Sequence, residues 1–343
     1  MARKRGSRAA LLALVSALAG CGESSAPEAA APVLRLGYFA NVTHAPAIVA
    51  LEQGFLSEAL GPGVKLELRT FNAGPEAVEA IFSDALDITY IGPNPAINAF
   101  AQSGGEAIRI VAGATSGGAA LVVKPTITTP AQLKGSRLAT PQRGNTQDVA
   151  LRAWLQKEGL ASDLEGGGDV SILPQPNSQT FETFRSGEIQ GAWVPEPWAT
   201  RLVLEGEGSV LVDERTLWPD GKFVTTHVMV RTAFLKERPE IVASFLRAHV
   251  RAINFLNAEP SKAREIVNAG IGRLTGKPLP AAVIERAWAT LTFTVDPIAA
   301  SLRKSAEDAT AVGLLDAVKL DGIYDLALLN AILTAAGKPP VSD

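Results

Sequence analysis

The stretch FSDALDITYIGPNP at residues 82–95 decides the fold, because FRSGEIQGAWVPEP at residues 184–197 repeats its pattern. Each copy is predicted to be the end of a helix, a tight turn, a buried strand and a new helix that starts at Pro-X-Pro. The aromatic residues Tyr90 and Trp193 take equivalent places near the strand ends. Proline suits a first helical turn because an N–H there has no intrahelical partner. Two readings follow: two lobes built alike, or convergence on a common strand–helix pattern.

Outward from this repeat, short apolar strands alternate with helical patterns. The sequence predicts strands at 33–38, 64–70, 87–91, 108–114, 137–140, 170–173, 191–194 and 224–230, and helices at 45–55, 75–83, 93–102, 146–158 and 178–185. Strands separated by helices of about ten residues predict βαβ units and mostly parallel sheets. Beyond residue 230 the pattern is almost wholly helical. We therefore expect α/β lobes with a helical C-terminal layer.

The N-terminus reads as a secretory signal. A basic head is followed by an apolar run over residues 9–19, too short to span a bilayer, and by Leu-Ala-Gly before Cys21. We expect residues 1–21 to be a lipoprotein signal with Cys21 lipidated, although a cleaved signal with an incidental cysteine is the alternative. Residues 22–32 are rich in Ser, Ala, Pro and Glu, which predicts a flexible tether.

The composition excludes several classes of function. A net charge of −3 without a long basic run argues against a nucleic-acid partner. With one cysteine no intramolecular disulfide can form, and three histidines and one cysteine without paired spacing argue against structural zinc. No nucleophile elbow, phosphate loop, dinucleotide fingerprint or metalloprotease motif is present. The sequence predicts a binding protein that needs no cofactor and no metal, rather than an enzyme.

The candidate site lies where predicted strands end. Four loops rich in Gly, Asn, Ser and Thr leave strand ends: 41–44, 92–94, 115–118 and 143–147. Ligands of open α/β sheets bind beyond the carboxyl ends of strands, and helix N-termini attract anions without a cationic side chain. We therefore expect a pocket for an oxyanion between the lobes.

Several of these residues have a second interpretation. Asn, Ser and Thr before helices are ordinary N-caps. Trp193 either packs the core or lines the ligand's organic tail, as Tyr90 could, and His44 is either a neutral hydrogen-bond donor or structural. Glu196 either positions a donor, gates the cleft or is a solvated acid. Arg143 either pairs with the ligand or lies on the surface.

From Leu34 onward the chain resembles the NitT/TauT group of ABC-transporter solute-binding proteins, and most closely its aliphatic-sulfonate-binding lipoproteins. The motifs that carry the resemblance are Gly37-Tyr38-Phe39, Asn41-Val42-Thr43-His44-Ala45-Pro46-Ala47, Phe71-Asn72-Ala73-Gly74-Pro75, Asp87 to Ala96, Leu133-Lys134-Gly135, Gly144 to Gln147 and Trp193 to Trp198. Nitrate and bicarbonate binders of this group rely on a cleft lysine, and the four loops contain none.

The resemblance implies a two-lobed type II periplasmic-binding-protein fold, with a ligand cleft between lobe I (33–117 and 224–343) and lobe II (118–223). The implied ligand-binding residues are Asn41, Thr43, His44, Gly92, Asn94, Thr115, Ser116, Gly144, Asn145, Thr146, Trp193 and Thr226. The implied function is extracytoplasmic capture of an alkanesulfonate or taurine by hinge closure, as a membrane-anchored monomer that delivers its ligand to an ABC permease and ATPase. Nitrate, bicarbonate or a thiamine-precursor pyrimidine are the alternative ligands, and an enzyme on a similar scaffold is the third hypothesis.

Overall fold

The computed structural model describes residues 31–343, of which residues 32–343 form one compact unit. The predicted signal, Cys21 and tether residues 22–30 lie outside the described residues. Within the described chain, no helix is both long enough and apolar enough to cross a bilayer.

Eleven strands of the described chain form two sheets. They are β1 Val33–Tyr38, β2 Lys65–Thr70, β3 Ile88–Ile91, β4 Ile108–Gly117, β5 Ala119–Val123, β6 Arg137–Thr140, β7 Ser171–Pro174, β8 Gly191–Pro195, β9 Ser209–Asp213, β10 Val224–Arg231 and β11 Leu291–Phe293. The first sheet has the order β11-β4-β10-β3-β1-β2, and the second has the order β7-β6-β8-β5-β9.

The two sheets share one arrangement of five strands. Strands β2-β1-β3-β10-β4 of the first sheet correspond in order to β7-β6-β8-β5-β9 of the second. The strands of the sequence repeat, β3 and β8, each lie between a parallel neighbour and an antiparallel one. The repeated stretches therefore hold equivalent places in two similarly built sheets.

The expectation of mostly parallel sheets was wrong, because both sheets are mixed. β10 runs antiparallel to β3 and β4, and β5 runs antiparallel to β8 and β9. β5 follows β4 after Gly118 alone and joins the second sheet, and β10 returns the chain to the first, so neither strand is reached by the strand–helix–strand crossover that makes neighbours parallel. The strands that pass between the sheets thus enter against the direction of their neighbours.

Helices cover both faces of each sheet. They are α1 Ala45–Glu52, α2 Phe55–Leu60, α3 Gly74–Phe82, α4 Pro93–Gln102, α5 Thr146–Lys157, α6 Asn177–Ser186, α7 Trp198–Leu204, α8 Thr232–Glu237, α9 Pro239–Ala258, α10 Pro260–Thr275, α11 Ala281–Trp288, α12 Ala299–Ala311 and α13 Ala327–Ala335. Each sheet has a separate hydrophobic cluster on either face, so its strands are buried from both sides. The α/β class and the helical C-terminal layer are confirmed, although the edge strands β9 and β11 were not predicted.

The passage from the first sheet to the second depends on two glycines. Gly117 and Gly118 have φ values of +79° and +76°, in the left-handed region that residues with a Cβ rarely adopt. A Cβ on Gly118 would also overlap the side chain of Leu291. The chain can therefore reverse here while β11 stays paired with β4.

Candidate ligand-binding site

A narrow cavity of about 30 Å³ lies between the two sheets, at the carboxyl ends of β1, β3, β6 and β8. Its walls are formed by Phe39, Asn41, Thr43, His44, Asn72, Ala73, Gly74, Gly92, Pro95, Pro141, Asn145, Thr146, Gln147, Asn177, Pro195, Thr225 and Thr226. This is the edge at which open α/β sheets bind their ligands. A space of this size holds about two water-sized groups, which suits the head group of a small molecule.

Five helices begin at this cavity. His44 and Gly92 are the N-caps of α1 and α4, and Asn145 is the N-cap of α5. Gly74 and Asn177 are the first residues of α3 and α6. The first N–H groups of a helix lack intrahelical acceptors and carry the positive end of the helix dipole. Five such starts around one small space create a site for a negative charge.

The cavity has no formal charge of its own. Among residues 31–343, the side chains that line it are amides, hydroxyls, apolar groups and one imidazole, and none is Lys, Arg, Asp or Glu. An anion here would be held by N–H and O–H dipoles rather than by an ion pair. Such a site suits a ligand that stays ionised, because no nearby cation lowers its pKa.

His44 is a neutral member of this wall. Burial lowers the pKa of its imidazole to about 3, since a charged ring would lose its hydration. Nδ1 accepts the Phe39 backbone N–H at 3.3 Å, which places the proton on Nε2. The ring also stacks on Phe39 at 4.3 Å between centroids. His44 therefore offers an N–H donor without adding charge.

Two buried hydroxyls hold the loop between β1 and α1. Thr115 Oγ1 donates to the Thr43 carbonyl at 2.7 Å, and Thr226 Oγ1 donates to the same oxygen at 3.2 Å. Thr115 and Thr226 lie on β4 and β10, the two long strands beside the passages between sheets. Both hydroxyl protons are thus already used to position Thr43 and His44.

Two polar atoms on the cavity wall have no partner in the described structure. Thr146 Oγ1 and Asn177 Oδ1 are both buried and make no hydrogen bond. Buried polar atoms normally have partners, and an unpaired one costs about 1–3 kcal/mol. Thr146 also lies directly against Gly92, where a Cβ would overlap its hydroxyl oxygen. Gly92, which follows β3 of the first sheet, and Thr146, which follows β6 of the second, are therefore in close contact at this cavity.

Asn145 is fixed by the start of α5. Its Oδ1 accepts the Asp148 backbone N–H at 2.9 Å, and its Nδ2 lies 3.2 Å from Gln147 Oε1. The Asp148 carboxylate in turn accepts from Thr140 Oγ1 at 3.0 Å and from the Gly144 N–H at 2.9 Å. The capping interpretation thus holds for Asn145, while its side chain also lines the cavity.

Five predicted site residues lie away from the cavity wall, and one of them is Thr115, which only holds the Thr43 carbonyl. Asn94 donates from Nδ2 to the Ser305 carbonyl at 3.1 Å, and the Gly144 N–H is held by Asp148. Ser116 lines a different cavity. Trp193 is fully buried in the core of the second sheet and donates from Nε1 to Glu214 at 2.7 Å. The core-packing interpretation of Trp193 is the one that its contacts fit.

The other ambiguous residues also make internal contacts. The Tyr90 hydroxyl lies 2.9 Å from His249 Nδ1, inside the core of the first sheet. Glu196 accepts from the Thr200 N–H and hydroxyl, and burial raises its pKa to about 7. Arg143 is half exposed and pairs with Glu165 at 3.2 Å. None of the three lines the cavity.

The sequence missed several wall residues. Phe39, Asn72, Asn177 and Thr225 line the cavity but were not predicted, whereas Gln147 lines it from a loop that was chosen, without having been named as a ligand-binding residue. Asn177 had the same signal as the loops that were chosen, because it follows the end of β7 and begins a helix. Thr225 gave no such signal, since it lies inside a strand and its hydroxyl donates to the Gly117 carbonyl.

Two larger cavities adjoin these elements. One of about 440 Å³ shares Asn41, Asn72 and Asn177 with the narrow cavity. Another of about 580 Å³ contains Arg215 and Lys222, but Arg215 is paired with Asp213 at 2.6 Å. Asp220 and Asp296 also line it, so its cations are balanced by carboxylates. The narrow cavity is the better anion site.

Known proteins resemble this chain over most of its length. The model of the NMT1-like family matches residues 27–271. The taurine-binding periplasmic protein of Escherichia coli K12 is 29% identical over 220 residues, which cover 63% of this chain and 66% of that protein. The matched chain thus spans just under two thirds of this relative. The resemblance inferred from the sequence is confirmed by these matches.

Solved structures give the same fold. The alkanesulfonate-binding protein SsuA from Xanthomonas axonopodis pv. citri, bound to MOPS, superposes with a TM-score of 0.71 and 23% identity, over 88% of this chain and 100% of that chain. The periplasmic nitrate-binding protein NrtA from Synechocystis PCC 6803 superposes with a TM-score of 0.75 and 16% identity, over 88% of each chain. These likenesses confirm a periplasmic-binding-protein fold and do not by themselves choose a ligand.

Proposed function

Because the chain belongs to the NMT1-like family, we propose that it is the substrate-binding component of an ABC importer and takes a small organic sulfonate. It would act outside the cytoplasm and pass its ligand to a permease that an ATPase drives. The named relatives that bind taurine and alkanesulfonates support this proposal. Binding, without chemical change of the ligand, is then the whole of its activity.

One observation carries the choice of ligand: an uncharged cavity at which five helices begin. A sulfonate presents three oxygens that accept hydrogen bonds, and it stays ionised at ordinary pH. Donors are available from the helix starts, from the neutral imidazole of His44 and from the unpaired hydroxyl of Thr146. The fixed charge of a sulfonate needs no cationic partner to keep it ionised.

The alternative ligands fit this wall less well. Nitrate and bicarbonate binders of the group rely on a lysine, and no lysine lines the cavity. A pyrimidine precursor would call for a carboxylate partner, and Glu196, which kept that hypothesis open, makes its contacts elsewhere. A sulfonate therefore remains the ligand that the wall favours.

We further propose that binding closes the two sheets on the ligand as a hinged pair of lobes, residues 33–117 with 224–343 and residues 118–223. The close contact between Thr146 and Gly92 supports this, because Thr146 begins α5 in the lobe of the second sheet and Gly92 precedes α4 in the lobe of the first. Closure would bury the ligand between the lobes. Cys21, proposed as a lipid anchor, would keep a monomer of this protein at the membrane surface near its permease.

A thermal-shift panel tests the function. Residues 32–343 would be heated with alkanesulfonates, taurine, sulfate, nitrate, bicarbonate and a pyrimidine precursor. A ligand at about a hundred times its Kd adds about 2.7 kcal/mol to the free energy of unfolding and moves Tm by a few degrees. We expect shifts with sulfonates only; a shift only with another class would replace the ligand, and the assay must exclude sulfonate buffers such as MOPS.

Affinity should be almost independent of pH between pH 5 and 8. The pKa of His44 in the folded protein is about 3, below its ordinary value of 6.5, so the folded ring stays neutral throughout this range. Protonation of the unfolded chain lowers stability as pH falls below 6.5, but it leaves the closed site unchanged. Calorimetric titration of propane-1-sulfonate at three pH values checks this. A Kd that rises tenfold toward pH 8 would contradict this, and would show that a group titrating in this range, a protonated imidazole or the neighbouring Glu196 carboxyl, acts on the ligand.

A further inference from the structure

The 440 Å³ cavity beside the head-group site differs from it in chemistry. Its wall includes the aromatic rings of Phe71 and Trp198, together with Ile271, Leu279 and three prolines. The two spaces share Asn41, Asn72 and Asn177, so a molecule whose head occupies the first can extend into the second. Apolar and aromatic walls gain free energy when they cover apolar groups.

Trp198 links the two spaces. Its Nε1 donates to Asn41 Oδ1 at 3.3 Å, between the start of α7 and the loop after β1. Because the amide oxygen of Asn41 accepts from Trp198, the amide nitrogen is the atom left to donate to a ligand. The indole thus both forms the tail wall and orients a head-group donor.

The charges of this second cavity disfavour a cation. Its wall holds one carboxylate, Glu205, which is already paired with Arg201 at 2.8 Å. Arg201 also lies over the Trp198 ring, at 4.7 Å from its centroid. Lys277 adds a further positive charge, and no ion pair binds it in the described chain. Because Arg201 and Glu205 neutralise each other, the wall keeps one net positive charge, from Lys277, and an ammonium group in this space would find no free carboxylate.

We propose, building on the sulfonate-binding function above, that this second cavity takes the ligand's tail and selects sulfonates with an apolar or aromatic tail over those with an ammonium tail. The preferred ligand would be an aryl or longer alkyl sulfonate rather than taurine. The tail would lie against Phe71 and Trp198 while the sulfonate occupies the narrow cavity.

A pair of ligands of equal size tests the selection. Taurine and propane-1-sulfonate differ by a terminal ammonium in place of a methyl group. For residues 32–343 we expect propane-1-sulfonate to bind at least tenfold more tightly than taurine. Butane-1-sulfonate should bind about fourfold more tightly than propane-1-sulfonate because of its added methylene, and benzenesulfonate at least as tightly as butane-1-sulfonate. Equal or tighter binding of taurine would overturn the selection and leave the sulfonate site standing; absence of binding by every sulfonate would overturn both.

Variants separate the tail wall from the head-group site. Phe71→Ala should weaken benzenesulfonate about tenfold and leave methanesulfonate, which has no tail to reach the ring, within twofold. Trp198→Phe keeps a ring but removes the N–H to Asn41, so it should weaken both ligands by a similar factor. Lys277→Glu should lower the ratio of the taurine Kd to the propane-1-sulfonate Kd by a few fold, as expected for an exposed charge. Equal effects of Phe71→Ala on benzenesulfonate and methanesulfonate would contradict the proposal.

Discussion

Replacing Gly92 by alanine is expected to weaken sulfonate binding by roughly ten- to a hundredfold while the free protein stays folded. Gly92 has φ −72° and ψ 160°, which alanine adopts without strain. The new Cβ would overlap Thr146 Oγ1 across the cavity. Thr146 must then turn its hydroxyl away or hold the lobes apart, and overpacking of this kind costs about 1–3 kcal/mol. Calorimetric titration measures the loss of affinity, and Tm of the free protein checks the fold.

Two controls make this result specific. Gly63→Ala adds the same methyl group at a glycine with open space around its Cβ position and should leave affinity unchanged. Gly92→Ala with Thr146→Ala removes the overlap, so the double variant should bind no worse than Thr146→Ala alone. If Gly92→Ala binds sulfonates as the parent does, the close approach of the two lobes is not part of the bound state.

Thr146→Val is expected to lower affinity about tenfold or more without destabilising the free protein. Thr146 Oγ1 is buried and unpaired, so the nearly isosteric change removes an unsatisfied group rather than a hydrogen bond. A hydrogen bond to a charged ligand contributes about 1.5–3 kcal/mol, which the variant would lose. We therefore expect a weaker ligand-induced shift and a ligand-free Tm that is equal or slightly higher.

Thr232→Val is the matched control. Thr232 also begins a helix, is buried to the same 7% exposure, and has an unpaired hydroxyl, but it lies away from the cavity. Its substitution should leave affinity unchanged. Equal affinity of Thr146→Val and the parent would remove the Thr146 hydroxyl from the proposed contacts.

Local sequence patterns predicted most of the fold. The repeat at residues 82–95 and 184–197 located two equivalent central strands, and β1, β6 and α4 have the predicted bounds. The antiparallel places of β5 and β10 were missed, because strand direction depends on which sheet a strand joins rather than on its own residues. β11 was missed because three residues give no period, and its pairing with β4 is long-range.

The site was predicted less completely, and the reason is geometric. Loops at strand ends gave Asn41, Thr43, His44, Gly92, Asn145, Thr146 and Thr226, all of which line the cavity. The same criterion also chose Asn94, the second residue of α4, whose side chain donates to the Ser305 carbonyl. Trp193 lies on the face of β8 that packs into the core. Successive side chains of a strand point to opposite faces, but the sequence did not indicate which face of β8 meets the cleft. Whether a predicted residue lines the cavity therefore depends on the direction of its side chain, and its position near a strand end is not sufficient.

The most direct test of the central claim is a crystal structure of residues 32–343 with a brominated alkanesulfonate, in which anomalous scattering locates the bromine and density locates the sulfonate. We predict the sulfonate in the narrow cavity, with an oxygen within about 3.5 Å of Thr146 Oγ1 and the bromine between Phe71 and Trp198. A sulfonate bound instead beside Arg215 and Lys222 in the 580 Å³ cavity would contradict the account.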